Sequence, residues 1–189
     1  MSHEDSLQLI KGMIQSAQNK MTDNSIHYLL WGWLVSTAAI LHFVLLKLDY
    51  QNPWIAWPVL MTLGGISAGV IGYRDNKKAT VKTYTDRLMT YVWGGMVVCM
   101  FILLSQGTHL DWEVVYPILM LFWGWALFIS GGMVRFKPLM FGGALNWVLG
   151  IIGFYLTFEN QLLLIAASMV FSYLVPGYLL RAKVKANAA

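Results

Sequence analysis

Residues 26–48 read IHYLLWGWLVSTAAILHFVLLKL, and this stretch decides the fold class of the chain. Its one charged side chain, Lys47, lies next to its end. As an α-helix these residues would be about 34 Å long, which is slightly more than the roughly 30 Å thickness of the hydrocarbon core of a bilayer. The stretch therefore predicts a helix that crosses a membrane once.

The composition extends this interpretation to the whole chain. Of its 189 residues, 58% are hydrophobic and 12% are charged, whereas a soluble domain carries about 25% charged residues. This balance excludes a soluble enzyme, a secreted scaffold and a disordered chain. The apolar stretches predict an all-α bundle of six transmembrane helices, at Ile26–Leu48, Trp54–Tyr73, Leu88–Ser105, Val114–Val134, Leu139–Phe158 and Gln161–Leu180. The expected domain organisation is a cytoplasmic tail over residues 1–25, a transmembrane domain over 26–180 and a basic cytoplasmic tail over 181–189.

The positions of Lys and Arg predict the orientation of the bundle, because cytoplasmic loops carry an excess of both. In a six-span chain, twelve of the thirteen Lys and Arg residues fall on one side and only Lys47 falls on the other. Both termini are therefore expected in the cytoplasm of a bacterial cell, with the chain in its cytoplasmic membrane. The same distribution explains the net charge of +4 without a nucleic-acid partner. The opposite loops are acidic, with Asp49, Asp111, Glu113 and Glu159.

Five basic residues are gathered in the loop between the second and third predicted spans. Each is expected to lie against acidic lipid headgroups, where a basic side chain contributes about 1 kcal/mol. These residues are Arg74, Lys77, Lys78, Lys82 and Arg87.

The N-terminal tail has the pattern of an amphipathic helix. Ser2 and Asp5 have the spacing of a capping box, with Asp in the place of the usual Glu. Apolar residues then recur at helical spacing from Leu7 to Met21. Two interpretations are open: the helix lies in the cytoplasmic membrane interface, or it docks on the bundle or on a partner subunit.

The predicted spans carry no charged residue well inside the membrane. Proton and sodium pathways usually depend on such residues, so an ion-coupled pump is disfavoured, whereas a carrier of apolar cargo stays open. Small and polar residues form stripes at steps of three or four, which indicates either packing seams or a slot for a flat or elongated ligand. The stripes are Pro58, Thr62, Gly65, Gly69 and Gly72 in the second span; Thr90, Gly94 and Ser105 in the third; Gly142, Asn146, Gly150, Gly153 and Thr157 in the fifth; and Ser168, Ser172 and Pro176 in the sixth.

Two polar side chains inside the spans need a partner, because lipid satisfies no hydrogen bond. His42 lies in the outer half of the first span and Asn146 lies near the middle of the fifth. Both are expected to face other helices, either in an interhelical hydrogen bond worth about 1 kcal/mol or in contact with a ligand. For His42 a proton-sensitive switch is a further alternative.

The tripeptide Trp-Gly-Trp occurs twice, at residues 31–33 in the first span and 123–125 in the fourth. Residues two apart on a helix point about 200° apart, so one ring of each pair can face lipid and the other the bundle. The glycine between them allows close packing of a helix or stacking of a ligand. The two copies also raise the alternative of two inverted three-helix halves, as in many carriers. The candidate ligand-binding residues are Trp31, Trp33, His42, Trp123, Trp125 and Asn146.

No catalytic constellation is found in the sequence. It has no phosphate-binding glycine loop, no His-Glu-x-x-His and no Gly-x-Ser-x-Gly, so no enzyme activity, catalytic residue or cofactor is expected. The single cysteine, Cys99, excludes an intrachain disulfide. His109, Asp111 and Glu113 alternate on an outer loop and could bind a metal ion, but solvated side chains are the simpler interpretation, and no metal site is expected.

The stretch His27–Trp33, which reads HYLLWGW and follows a short amphipathic tail, resembles a family of small six-span bacterial membrane proteins. The resemblance covers the tail and the first span. It implies the fold and the bacterial membrane, but it implies no activity, so no functional residue is carried over. The size is also similar to that of the substrate-binding subunits of vitamin importers, an analogy of fold alone.

Two classes of function fit these observations. The first is a non-enzymatic membrane component, either an oligomer or an accessory subunit, that binds a partner or lipid through its tail and the basic 74–87 loop. The second is a transporter, or a substrate-binding membrane subunit, for a small apolar or aromatic molecule. A central cavity lined by aromatic side chains would favour transport, whereas a filled bundle would favour the first class.

Overall fold

The computed structural model describes the backbone of residues 3–78 and 84–188 and the side chains of residues 25–74, 77, 84–183 and 186. Within these ranges every regular element is helical. The helices are α1 (His3–Lys47), α2 (Ala56–Lys78), α3 (Tyr84–Ser105), α4 (Trp112–Met133), α5 (Lys137–Gly153), α6 (Phe158–Met169) and α7 (Val175–Ala188). A 3₁₀ turn, Pro53–Ile55, precedes α2, and a π-helical segment, Val170–Leu174, joins α6 to α7 in one helical rod.

Five helical segments of the described residues are long and apolar enough to cross a membrane. They are Ser25–Lys47, Pro53–Arg74, Tyr84–Ser105, Trp112–Met133 and Phe158–Lys183. Each matches a predicted span, so the all-helical membrane fold is confirmed. The remaining predicted span, Leu139–Phe158, corresponds to α5, a shorter helix of 17 residues.

The early end of α5 has a local cause. The next three backbone N–H groups, from Phe154 to Leu156, bond to carbonyls three residues back, which tightens the chain into a turn. Thr157 then begins α6 as its N-cap residue. The sequence offers no proline or charge at this position, and the predicted boundary at Phe158 is therefore five residues too late.

α1 and α4 end in the same way. In each, the second residue after the helix adopts a left-handed conformation, Asp49 with φ 50° and Arg135 with φ 54°. The next N–H then reaches back five residues, from Tyr50 to Leu45 and from Phe136 to the carbonyl of Gly131. This arrangement satisfies carbonyls that the helix end would otherwise leave unpaired.

The predicted amphipathic tail is helical in its backbone, and α1 continues from His3 to Lys47 without a break. The sequence predicts two separate segments here, with a boundary near residue 25. The side chains that form the predicted amphipathic face, from Leu7 to Met21, lie outside the described ranges.

The core is formed by α1, α4, α5 and the rod of α6 and α7. It is filled mainly with apolar side chains from these elements, with a few buried polar side chains among them. Fully buried members include Ala38, Ala39, Val115, Leu127, Leu162 and Ile165.

Glycines hold α4 and α5 together along their length. A Cβ atom on Gly143 would lie 2.6 Å from both the carbonyl oxygen of Gly124 and the backbone nitrogen of Phe128. Closer to the end of α5, a Cβ on Gly150 would lie 2.9 Å from Leu121, and one on Gly153 would lie 3.2 Å from Pro117. The predicted close helix contact at Gly150 and Gly153 is confirmed, whereas the closest backbone approach is at Gly143, which lies outside the predicted stripe.

By contrast, α2 and α3 lie at the edge of the bundle. α2 packs on α1, α3 packs on α4, and within the described residues the two do not pack against each other. Within the apolar membrane-spanning stretch of each helix, only 11% of the residues of α2 and 6% of those of α3 are buried, against 61% of those of α4. Most of the surface of these two helices therefore has no partner among the described residues.

The predicted seam in the second span is wrong for the isolated chain. The helix contacts α1 through a different glycine, Gly64, whose Cβ would lie 2.8 Å from Leu34. A Cβ on Gly65, Gly69 or Gly72 would meet no atom within 4 Å. In the third span, Thr90, Gly94 and Ser105 are likewise exposed. Periodic spacing identifies a common face of a helix, but it does not identify what that face contacts.

The contact between α4 and α5 can be tested by adding a single methyl group. Gly143→Ala should lower the melting temperature in detergent, because two backbone atoms of α4 cannot move aside as a side chain can. Overpacking of this kind costs about 1–3 kcal/mol.

The matched control is Gly132→Ala, in a helical position of α4 where a Cβ meets no atom within 4 Å. Because alanine favours a helix over glycine by about 1 kcal/mol, this variant should melt at the wild-type temperature or above it. If both variants melt like the wild type, the close contact between α4 and α5 is wrong.

Candidate functional site

His42 lies at the end of the bundle where α1 ends and α2 begins, and it is buried, with 4% of its surface exposed. Its Nδ1 accepts a hydrogen bond of 2.9 Å from the indole N–H of Trp57. The prediction that His42 faces other helices is thus confirmed. Because Nδ1 is the acceptor, the ring proton of the neutral imidazole sits on Nε2 in this arrangement.

An aromatic cluster surrounds His42 at this end of the bundle. The ring of Phe158 stands edge-on to the imidazole, at 5.5 Å between centroids. Tyr116 stacks on Phe158 at 5.4 Å and contacts the rings of Trp57 and Trp112, each at 5.9 Å. Aromatic rings with a polar edge favour the membrane–water boundary, and the cluster joins the starts of α2, α4 and α6 there.

Gln161 links three helix ends in the same region, and it is 1% exposed. Its side-chain amide nitrogen donates to the backbone carbonyls of Glu113 at 2.8 Å, Gly153 at 2.9 Å and Leu156 at 3.2 Å. The carbonyls of Gly153 and Leu156 belong to the turn that ends α5, where the regular bonds of the helix stop. Sequence reasoning missed this role, although an uncharged polar side chain at the start of a span is a signal that could have indicated it.

Charged groups complete this end of the bundle. Lys47 forms an exposed ion pair with Glu159, which connects the end of α1 to the start of α6. One carboxylate oxygen of Glu113 accepts a hydrogen bond of 3.0 Å from the backbone N–H of Phe158. A cleft of about 260 Å³ is open at the surface beside these groups, lined by Asp111, Trp112, Glu113 and Phe158. Since Glu113 already bonds to the start of α6, its role here is structural.

A second polar network lies towards the opposite end of the bundle. The indole N–H of Trp93 on α3 donates to the hydroxyl of Ser130 on α4, at 3.1 Å. Ser130 also forms a hydrogen bond with Tyr28 of α1, whose ring contacts that of Tyr173 at 6.3 Å. This network fixes α3 to the core by its indole rather than by a glycine seam.

The two Trp-Gly-Trp motifs behave as predicted in one respect. In each pair one ring faces the bundle and the other faces outward, with Trp123 at 8% exposure and Trp125 at 45%. Trp31 is half-buried against Gly64, and Trp33 is 54% exposed.

The surroundings of the two motifs, however, differ. The central Gly32 packs on Leu174 of the π segment, whereas the central Gly124 packs on Trp147 and Gly143 of α5. Inverted three-helix halves would place the two glycines against equivalent helices. α2 and α3 are peripheral while α5 and α6 are central, so the packing does not have this symmetry.

The six candidate ligand-binding residues do not converge on one site. Trp33 bonds to the hydroxyl of Tyr178 at 3.2 Å, and His42 bonds to Trp57. Trp125 lines an outward-facing apolar cleft of about 380 Å³ between α3 and α4. Its other lining residues are Met96, Cys99, Leu121 and Phe122. These positions provide separate packing sites instead of a shared aromatic cavity.

Asn146 is buried as His42 is, but its side chain makes no hydrogen bond. It is fully buried, as expected, yet neither its side-chain nitrogen nor its side-chain oxygen has a hydrogen-bond partner. The hydroxyl of Ser172, on the π segment, is fully buried and unpartnered as well. The interhelical hydrogen bond expected for Asn146 is therefore not formed.

The basic residues expected to meet lipid are exposed where the structure describes them. Arg74, Lys77 and Arg87 all lie on the surface, and the ammonium group of Lys77 lies 4.7 Å from the centroid of the Tyr73 ring. The side chains of Lys78 and Lys82 lie outside the described ranges.

The outer-loop residues raised as metal ligands are not gathered into a metal site. Among residues whose placement is described, no group of three or more His, Cys, Asp or Glu side chains is arranged to hold a metal ion. His109, Asp111 and Glu113 therefore do not form the cluster that their alternate spacing would allow.

No family model, no curated protein and no solved structure matches this chain. The resemblance of His27–Trp33 to a bacterial family stays a prediction.

The bond between Trp57 and His42 gives a direct test of the site. Trp57→Phe keeps the aromatic ring but removes the N–H, so a buried imidazole nitrogen loses its donor. The melting temperature should fall by the equivalent of about 0.6–1.7 kcal/mol, the range measured for interhelical hydrogen bonds in a membrane protein.

The matched control is Trp54→Phe, since Trp54 is 54% exposed at the start of the same helix; this variant should melt like the wild type. In a His42→Phe background, Trp57→Phe should cost much less. An equal cost in both backgrounds would contradict the pairing.

Proposed function

We propose that this protein is a non-enzymatic component of the bacterial cytoplasmic membrane that assembles with another membrane protein through α2 and α3. One observation carries the proposal. The core of α1, α4, α5 and the α6–α7 rod is filled, whereas glycines on α2 and α3 lie bare at the surface. A filled bundle is the arrangement expected of a structural or accessory subunit.

The character of the bare faces supports an assembly role. On α2, Gly65 and Gly69 are four residues apart and point away from the chain, since a Cβ on either would meet nothing within 4 Å. On α3, Gly94 and Gly95 are equally open. A glycine adds no stabilising side-chain contact with lipid, but it lets the backbone of a second helix approach closely, as in the small-xxx-small motif. The two helices therefore carry the features of a protein-binding surface in the membrane.

The packing of α5 supports six crossings. Although α5 is only about 25 Å long, it lies along α4 from Gly131, which meets Met140, to Pro117, which meets Gly153. Its last carbonyls are tied by Gln161 to Glu113 at the start of α4. α5 thus returns the chain from one end of α4 to the other, and both termini fall on the side that carries the basic residues.

On this topology the exposed Arg74, Lys77 and Arg87 lie at the cytoplasmic surface. Acidic lipid headgroups in that leaflet would attract each of them. Lipid binding at this position would hold the ends of α2 and α3, which the core itself holds weakly.

The topology is tested by labelling single cysteines with a thiol reagent that does not cross membranes. In a Cys99→Ser background, a cysteine replacing Thr108 should react in intact cells. Cysteines replacing Ser2, Thr80 or Ala186 should react only after the cells are opened. If the cysteines that replace Ser2 and Ala186 react on opposite sides of the membrane, the number of crossings is odd. If the cysteine that replaces Thr108 is protected in intact cells while the other three react, the orientation is the reverse of the one proposed.

The assembly is tested by measuring particle mass after extraction into native lipid discs, without detergent. The wild type should give particles heavier than one 21.4 kDa chain in its lipid disc. Replacing Gly65 and Gly69 together by Leu should return the particle to a single chain, because two branched side chains would stand where a second helix approaches.

Val70→Leu is the matched control on the same helix, because Val70 is 47% exposed and points away from the glycine face. This variant should assemble like the wild type. A wild type that is a single chain without any co-extracted protein, or a double variant that assembles normally, would contradict the proposal.

A further inference from the structure

α5 meets the π segment of the rod near the middle of the bundle. The closest point is Gly142, where a Cβ atom would lie 2.8 Å from the carbonyl oxygen of Ser172 and 3.0 Å from its Cα. Asn146 follows Gly142 by one helical turn and lies on the same face of α5. Because helical side chains lean toward the N-terminus of their own helix, the amide of Asn146 leans back toward Gly142 and Ser172.

The backbone of the rod has a specific reason to be open at Ser172. In an α-helix its carbonyl would accept a bond from the N–H of residue 176, but that residue is Pro176, which has no N–H. A proline ring also crowds the carbonyl four residues before it. The π-helical turn over Val170–Leu174 accommodates this defect, and such turns occur frequently at functional sites.

The defect coincides with the unpartnered polar atoms of the core. The amide nitrogen and oxygen of Asn146 and the hydroxyl of Ser172 are all buried without a hydrogen-bond partner, and both residues have 0% exposure. Ser168, one turn before Ser172, differs in that its hydroxyl donates to the carbonyl of Ile165 at 2.9 Å. Among the described residues, the one other buried side-chain atom without a partner is Oε1 of Gln161, which lies at the opposite end of α5, so the unpaired groups beside the π segment are those of Asn146 and Ser172.

We propose that Asn146 and Ser172 bind a water molecule between α5 and the π segment, in the middle of the membrane domain. Buried waters in proteins typically make two to four hydrogen bonds to polar groups that would otherwise be unsatisfied. A water can accept from the Asn146 amide nitrogen and donate to the Asn146 oxygen or to Ser172. It can also donate to the Ser172 carbonyl.

The chemistry of the pair favours water over a cation. A sodium ion would be bound by the oxygens of Asn146 and Ser172, but it would leave the two amide hydrogens of Asn146 without an acceptor. The described spans contribute no Asp or Glu to this contact that would balance a positive charge. A neutral ligand that both donates and accepts satisfies every group present.

The bound water would connect α5 to the π segment, which is the part of the rod that also packs against α1. Leu174, at the end of the π segment, lies 2.7 Å from the position of a Cβ on Gly32. The site is thus next to the point where three core helices meet. This inference does not depend on the assembly proposed for α2 and α3.

The direct test is a structure of the full-length protein in lipid discs at a resolution that shows ordered water. Density for one water within hydrogen-bond distance of Asn146 and Ser172 is expected in the wild type. The absence of such density in a map that shows other buried waters would overturn the proposal, whatever the variants below do.

A double-mutant cycle provides the second measurement, with the melting temperature as readout. Asn146→Leu and Ser172→Ala should each lower the melting temperature, and the double variant should melt no lower than the less stable single variant, because either change already removes the shared water. Additive effects would contradict the shared site. A rise in melting temperature for Asn146→Leu would show that the amide is unpaired in the wild type, which also overturns the proposal.

Ser36→Ala is the matched control, because Ser36 is a buried serine whose hydroxyl has a protein acceptor, the carbonyl of Ala166 at 3.4 Å. Its effect should add to that of Asn146→Leu. Melting is also compared in sodium chloride and in choline chloride. A sodium-dependent increase that disappears in Asn146→Leu would identify a cation site in place of the water.

Discussion

The backbone contact between α4 and α5 is the constraint on which the rest of the fold depends. Gly124 and Gly143 face each other so closely that a methyl group on either would meet backbone atoms within about 3 Å. Helices in lipid gain nothing from the hydrophobic effect when they associate, so close packing must supply the attraction. The long contact compensates for the small length of α5, and it sets the position where α6 begins.

Hydrogen bonds complete what the glycines begin. Three side chains that reach between helices donate hydrogen bonds to other elements: Trp57 to His42, Trp93 to Ser130, and the amide nitrogen of Gln161 to three carbonyls. An unsatisfied group in hydrocarbon would cost several kcal/mol, which explains why these few polar residues lie at helix junctions. Asn146 departs from this pattern, because neither atom of its buried amide has a partner among the described residues.

The sequence predicts the class of fold well and the contacts of its helices poorly. Apolar length and the bounding charges identify the spans, because both follow from the thickness of the bilayer. The inward direction of His42 and Asn146 was also predicted, since lipid satisfies no hydrogen bond. The partner of His42 could not be predicted, because a tryptophan near the membrane boundary is equally expected in a solvated belt. The predicted glycine stripes of α2 and α5 have similar spacing, yet a Cβ on Gly65, Gly69 or Gly72 would meet no atom within 4 Å, whereas Gly142, Gly150 and Gly153 are closely packed. The sequence could not show this difference, because apolar composition does not distinguish lipid from a neighbouring helix.

The contrast between α2 and α5 is therefore an argument about assembly. Both helices carry glycine at steps of three or four, and in α5 these glycines pack against α4 and the π segment. In α2 the same pattern faces outward, while its contact with α1 uses Gly64 on another face. A helix needs only one glycine face to join its own bundle. The second face of α2 packs on none of the described residues, and this open glycine face is what the proposed assembly would use for backbone contact with a second helix.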